Sequence, residues 1–86
     1  MELKQTDFLG SLAKGLSVIE AFSMERPRLS ISDVASDTGL DRATARRCLL
    51  TLAGLGYADY DGKYFRLTPR VLRLGTACLA TMPLPN

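Results

Sequence analysis

The sequence predicts a mainly α-helical domain carrying a small β-hairpin. Three observations carry that prediction. Helix-start signals recur at Ser30, Asp41 and Thr68, each with apolar residues one position before and four after. An oxygen-bearing side chain there caps the first N–H groups of a helix, and the apolar pair pins its entry. The tripeptide Thr38-Gly39-Leu40 separates the second expected helix from the third. An aromatic-rich stretch, 57–67, is centred on Asp61-Gly62, the strongest short-range hairpin signal.

Residues 1–10 read as a tail. Residues 11–22 read as a helix, with Leu12, Leu16, Ile19 and Phe22 on one face and Val18 beside that stripe. Pro27 forces its predecessor out of helical geometry, so 25–28 is expected to turn. Ser30 then caps the second helix, with Asp33 completing a capping box and Leu29 and Val34 as the apolar staple. Asp41 caps the third helix, with Leu40 and Ala45 as its staple. A two-residue turn at Asp61-Gly62 sets Ala58 opposite Phe65, with Leu67 on the same face. Tyr57, Tyr64 and Arg66 then point the other way. A lone hairpin is marginal in water, so its apolar face must lie on the helices. Thr68 caps a fourth helix, 69–81, with Pro69 at its first position and Leu67 and Leu72 as the staple. That helix is apolar on two stripes, Val71, Leu74 and Cys78 on one and Leu72 and Leu79 on the other, and part of this surface lacks a core to join. Residues 82–86, with two prolines, are expected to be neither helix nor central strand.

Composition narrows the chemistry. The chain has 86 residues, 47% hydrophobic and 23% charged. That is one small globular domain with little room for a catalytic cleft. There is no histidine, which removes histidine general bases, Ser-His-Asp and Cys-His arrangements and histidine metal ligands. Cys48 and Cys78 match no C-x-x-C motif and fall on apolar-periodic segments, so both are expected to be reduced core residues. Asp59 and Asp61 resemble paired carboxylates, but Asp61 is a turn residue and no metal or catalytic partner accompanies them. No metal, cofactor or enzymatic activity is expected. No apolar run reaches the ~20 residues that span a membrane, and the polar N-terminus is no signal peptide, so a cytoplasmic location is expected. Charge is uneven: residues 1–41 hold four basic and seven acidic residues, and 42–73 hold seven basic and two acidic. A basic half on a small domain suits a polyanionic partner.

The order helix, helix, turn, helix, hairpin, helix is that of a winged helix-turn-helix. Val34 and Ala35 lie where a small residue lets the third helix cross closely. Gly39 fits a turn position needing positive φ. Leu40, Ala45 and Cys48 plug the angle between the helices. A recognition helix of this kind enters the major groove of duplex DNA. Arg46 and Arg47 are then candidate contacts. By helical geometry Arg47 lies about 200° from the core direction and Arg46 about 100°, so Arg47 is expected to read a base and Arg46 to hold backbone. Arg42, Ala43 and Thr44 sit in the first turn, Arg42 also within reach of a phosphate. Lys63 at the wing tip suits minor groove or phosphate, Ser30 and Ser32 offer hydroxyls to phosphate, and Arg66 completes the set. A winged-helix module for protein interaction or dimerisation, without DNA binding, is the alternative.

Several stretches also resemble the IclR-type bacterial transcriptional regulators. They are Ser11-Leu12-Ala13-Lys14-Gly15-Leu16-Ser17-Val18-Ile19, Leu29-Ser30-Ile31-Ser32-Asp33-Val34-Ala35, Thr38 through Arg47, Leu55-Gly56-Tyr57 and Phe65 through Gly75. Arg42–Arg47 and Arg66–Gly75 look most like the β-ketoadipate (aromatic acid) pathway regulators of that family. The resemblance implies a DNA-binding domain over 11–68 that acts as a homodimer on a palindromic operator, and as a higher oligomer in a full-length protein. It implies a linker helix and truncated end over 69–86, and a C-terminal effector-binding domain absent here, through which alone a small molecule would act. Partly on this resemblance, Phe8, Leu9 and Val18 are expected at the dimer interface. The chain departs from the family at Ala45 and Cys48, where bulkier aliphatics are frequent, and at Asp41, where serine is commoner.

Overall fold

A computed structural model describes residues 2–83. The expectation for the chain end falls partly on 84–86, which lie outside the described residues. The chain forms a short 3-10 turn, Gln5–Asp7, and then α1 (Gly10–Glu20), β1 (Arg28–Ser30), α2 (Ile31–Thr38), α3 (Arg42–Gly54), β2 (Ala58–Tyr60) and β3 (Tyr64–Leu67). A 3-10 turn at Pro69–Leu72 leads into α4 (Arg73–Thr81).

The helix starts follow the sequence signals. The Ser30 N–H donates to the Asp33 carboxylate at 2.9 Å, and the Asp33 N–H donates to the Ser30 hydroxyl at 3.1 Å, so both arms of the capping box are made. Gly39 ends α2 at φ +76°, a left-handed conformation that side chains with a Cβ rarely adopt. The Asp41 carboxylate accepts from the Thr44 N–H and hydroxyl, opening α3. The Thr68 hydroxyl accepts from the Arg70 N–H and itself donates to the Gly56 carbonyl at 2.6 Å, tying the last helical segment to the end of α3.

The core consists of Val18, Leu29, Val34, Ala45, Leu49, Leu52, Ala58 and Phe65. Helix α1 supplies only Val18 to it, which corrects two expectations. The stripe expected inside begins with Leu12 and Leu16, yet these are 58% and 48% exposed, while Val18, expected beside the stripe and at a dimer interface, is 0% exposed. The helix is rotated relative to that reading. Val18 faces α2 and α3, with Ile19 and Phe22 half-buried on its flank, and Leu16 lies roughly 160° from Val18 around the helix. Val18 is therefore unavailable to a partner.

The sheet differs from a two-stranded wing in two ways. Residues 28–30, read as a turn and a helix cap, form a third strand beside β3, giving the antiparallel order β1-β3-β2. Leu29 sits opposite Phe65, and both are fully buried. A three-residue strand is too short to show alternation, so periodicity cannot find it. The hairpin register is also one pair away from expectation. Ala58 lies opposite Leu67, and Tyr60 opposite Phe65 with their rings stacked at 4.2 Å. The reason is Asp61. Its Oδ1 accepts from the Lys63 and Tyr64 N–H groups, and its own N–H donates to the Tyr64 carbonyl. Asp61 is thus the last paired residue, and Gly62-Lys63 makes the turn, with Gly62 at φ +102°. Ala58, Phe65 and Leu67 keep their expected inward face. Tyr57, expected outside, is half-buried against the core.

The fourth helical segment departs most. Its staple is not formed, since Leu72 is 72% exposed, and α4 buries no residue. Cys78, expected in the core, is exposed, its thiol 3.4 Å from the Met82 sulfur. Cys48 is half-buried against the core as a free thiol.

Candidate nucleic-acid interface

Helix α3 is anchored by Ala45, Leu49 and Leu52, which point into the core. Ala43, Arg46 and Arg47 are exposed. The helix thus presents two guanidinium groups and a small side chain away from the protein, held by a backbone that is capped and packed. The start of α3 is tied to that of α2, because the Arg42 guanidinium donates to the Ser32 hydroxyl. These two candidates form one polar cluster beside the α2 N-terminus.

Ser30 and Thr44 are less free than the sequence implies. The Ser30 hydroxyl is engaged by its capping box. The Thr44 hydroxyl donates to Asp41, and Thr44 lines the groove between α3 and α1 instead of the outward face. The cap lowers the Asp41 carboxyl from its ordinary value, chiefly through the Thr44 hydroxyl and then the Thr44 N–H, with the Lys14 ammonium adding a smaller charge effect. Asp33 is likewise held low by the Ser30 N–H and hydroxyl, with smaller help from Arg26 and Lys63. Arg26 pairs with Asp37 at 2.7 Å and with Asp33 at 3.8 Å, so it fastens the turn before β1 onto α2.

Lys63 stands at the wing tip, its ammonium 5.2 Å from the centre of the Tyr64 ring. The Arg28 guanidinium lies at the same distance from that ring. Arg66 is exposed on β3 between Arg28 and Asp59 of the neighbouring strands. Tyr64 and Arg28, which the sequence reading did not single out, thus share an outer sheet face with Lys63 and Arg66. The cue was the alternation of the wing strand, which places Tyr64 and Arg66 on one side. Arg28 had no such cue, because its strand was not recognised. Of the expected interface residues, Phe8 and Leu9 are exposed, and Leu12 and Leu16 join them as apolar surface on α1.

An exposed basic helix packed across a capped partner helix, with a three-stranded wing, defines a winged helix-turn-helix domain of the DNA-binding kind. The IclR helix-turn-helix domain matches residues 11–62, and the chain belongs to that family. It is 48% identical over 85 residues to the p-hydroxybenzoate hydroxylase transcriptional activator of Acinetobacter baylyi, covering 99% of this chain and 31% of that protein. It is 49% identical over 78 residues to the Pca regulon regulatory protein of Pseudomonas putida, covering 91% of this chain and 27% of that protein. An IclR family transcriptional regulator from Brucella abortus has a similar structure, with a TM-score of 0.85 and 33% identity over 95% of this chain and 32% of its own. The chain therefore spans under a third of the length of these relatives.

Proposed function

We propose that this chain is the part of a transcriptional regulator of aromatic-compound catabolism that binds its operator, non-enzymatically and in the cytoplasm. Helix α3 enters the major groove and the wing approaches backbone or minor groove. The observation that carries the reading is the exposed Arg46–Arg47 pair on a helix whose opposite face is locked into the core. The Acinetobacter relative, a transcriptional activator of p-hydroxybenzoate hydroxylase, supports the aromatic assignment.

The binding unit is a homodimer on a palindromic site, and a full-length protein forms a higher oligomer. Exposed apolar residues at the two ends of the chain, Phe8, Leu9, Leu12 and Leu16 with Leu74 and Leu79, favour self-association. Residues 11–68 form the DNA-binding unit, preceded by a tail over 1–10 and followed by a linker over 69–86. A small-molecule effector acts through the remaining length that the relatives have and this chain does not span.

Salt titration tests the DNA-binding reading. If each protomer neutralises three or four phosphates, log K for a dimer should fall with log salt at a slope of about −5 to −7. A slope near zero would favour a winged-helix module that contacts protein alone.

A further inference from the structure

The face of α1 that buries Val18 changes character toward the N-terminus. Within about 60° of Val18 around the helix, the preceding positions are Gly15, Lys14 and Ser11, none of them a large apolar residue. This polar stretch borders α3 across a surface groove of about 340 Å³. Thr44, Arg47 and Thr51 line its far side, and no carboxylate lines it. The groove is open beside Gly15, where a Cβ would meet nothing within 4 Å. Among the described residues the Lys14 ammonium has no ion-pair partner, because the ion pairs are those of Arg26.

A helix lying in the major groove has a wall of phosphates on each side. On one side of α3 stands Arg42, hydrogen-bonded to Ser32 near the start of α2. On the other stands α1. We infer that the α1 side of this groove faces the second phosphate wall, with Lys14 contacting a backbone phosphate there. This rests on the DNA-binding reading above and adds a contact to it. Asp41 accepts from Thr44 at both carboxylate oxygens, and the Lys14 charge makes only a small contribution to lowering its carboxyl.

The test is DNA binding by Lys14→Ala, Lys14→Arg and Arg42→Ala, combined with phosphate-ethylation interference. Lys14→Ala should weaken a selected operator and random duplex by the same factor and reduce the salt slope by about one per protomer, and Lys14→Arg should restore both. Ethylation of phosphates along one edge of the major groove should stop interfering in Lys14→Ala, and along the opposite edge in Arg42→Ala. An unchanged slope and interference pattern in Lys14→Ala, beside a steep slope in the unsubstituted protein, would overturn this contact alone. A flat slope in the unsubstituted protein would remove the DNA-binding reading and this contact with it. Inorganic phosphate at fixed ionic strength should not displace DNA. If it saturates the groove, and Lys14→Ala abolishes that binding, the groove is a small-anion site and the inference is wrong.

Discussion

The middle of the chain and its two ends use apolar residues differently. Between residues 29 and 65, Leu29, Leu49, Leu52 and Phe65 are buried, and each has a helix or strand facing it. At the ends, Leu9, Leu12 and Leu16 on one side and Leu72, Leu74 and Leu79 on the other stand exposed. Helical spacing is present in both regions. Burial follows only where a second element arrives to cover the face, so periodicity marks a face without saying what covers it.

Substitutions sharpen this contrast, beginning with the largest effect. Phe65→Ala should cost about 3–5 kcal/mol of folding stability, read by urea unfolding, because Phe65 is fully buried between Leu29 and Tyr60 of the two neighbouring strands. Leu12→Ala should change the monomer by less than about 0.5 kcal/mol. Comparable losses for both would mean that the end of the chain is packed and the contrast is false.

Ser30→Ala removes one arm of the capping box and should cost about 0.5–2 kcal/mol in the same assay. Leu16→Glu should leave the melting temperature of the monomer almost unchanged while reducing self-association in sedimentation. An unaltered sedimentation profile would remove the α1 face from the proposed interface.

Acid should act on the middle region through its helix caps and its wing turn. Asp33, Asp41 and Asp61 all have carboxyls lowered from the ordinary 3.8, each chiefly by a hydrogen bond it accepts, from the Ser30 N–H, the Thr44 hydroxyl and the Tyr64 N–H respectively. A lowered carboxyl stabilises the fold fully above its ordinary value, and this contribution is lost as pH falls through the lower folded value. Thermal stability should therefore be insensitive to these groups at neutral pH and decline below about pH 4. Asp41→Asn, which keeps a capping oxygen, should show a smaller acid decline. An equal decline would place the acid sensitivity elsewhere.

Most of the middle region was legible in the sequence, because its signals are local. A capping residue, its partner three positions on and a left-handed glycine act within one turn of helix. The outward placement of Arg46 and Arg47 followed from the rotation of about 100° per residue along the helix that those signals start. What escaped depended on distant partners. The β1 strand exists because Leu29 meets Phe65 more than thirty residues later. The rotation of α1 is set by its packing on α2 and α3, so the apolar stripe of α1 alone does not identify Val18 as its buried residue. The wing register turned on which side-chain oxygen closed the loop, and Asp-Gly alone did not specify it.

The central claim is that α3 reads sequence with its outward face and holds backbone with its flanks. Selection of bound sequences from a random duplex pool, run with Arg47→Ala and Arg46→Ala, tests it most directly. The account predicts that Arg47→Ala relaxes preference at one base pair of each half-site at a cost of about 1–3 kcal/mol. Arg46→Ala should weaken operator and random DNA alike with preference intact. Unaltered preference in both substituted proteins would contradict the claim.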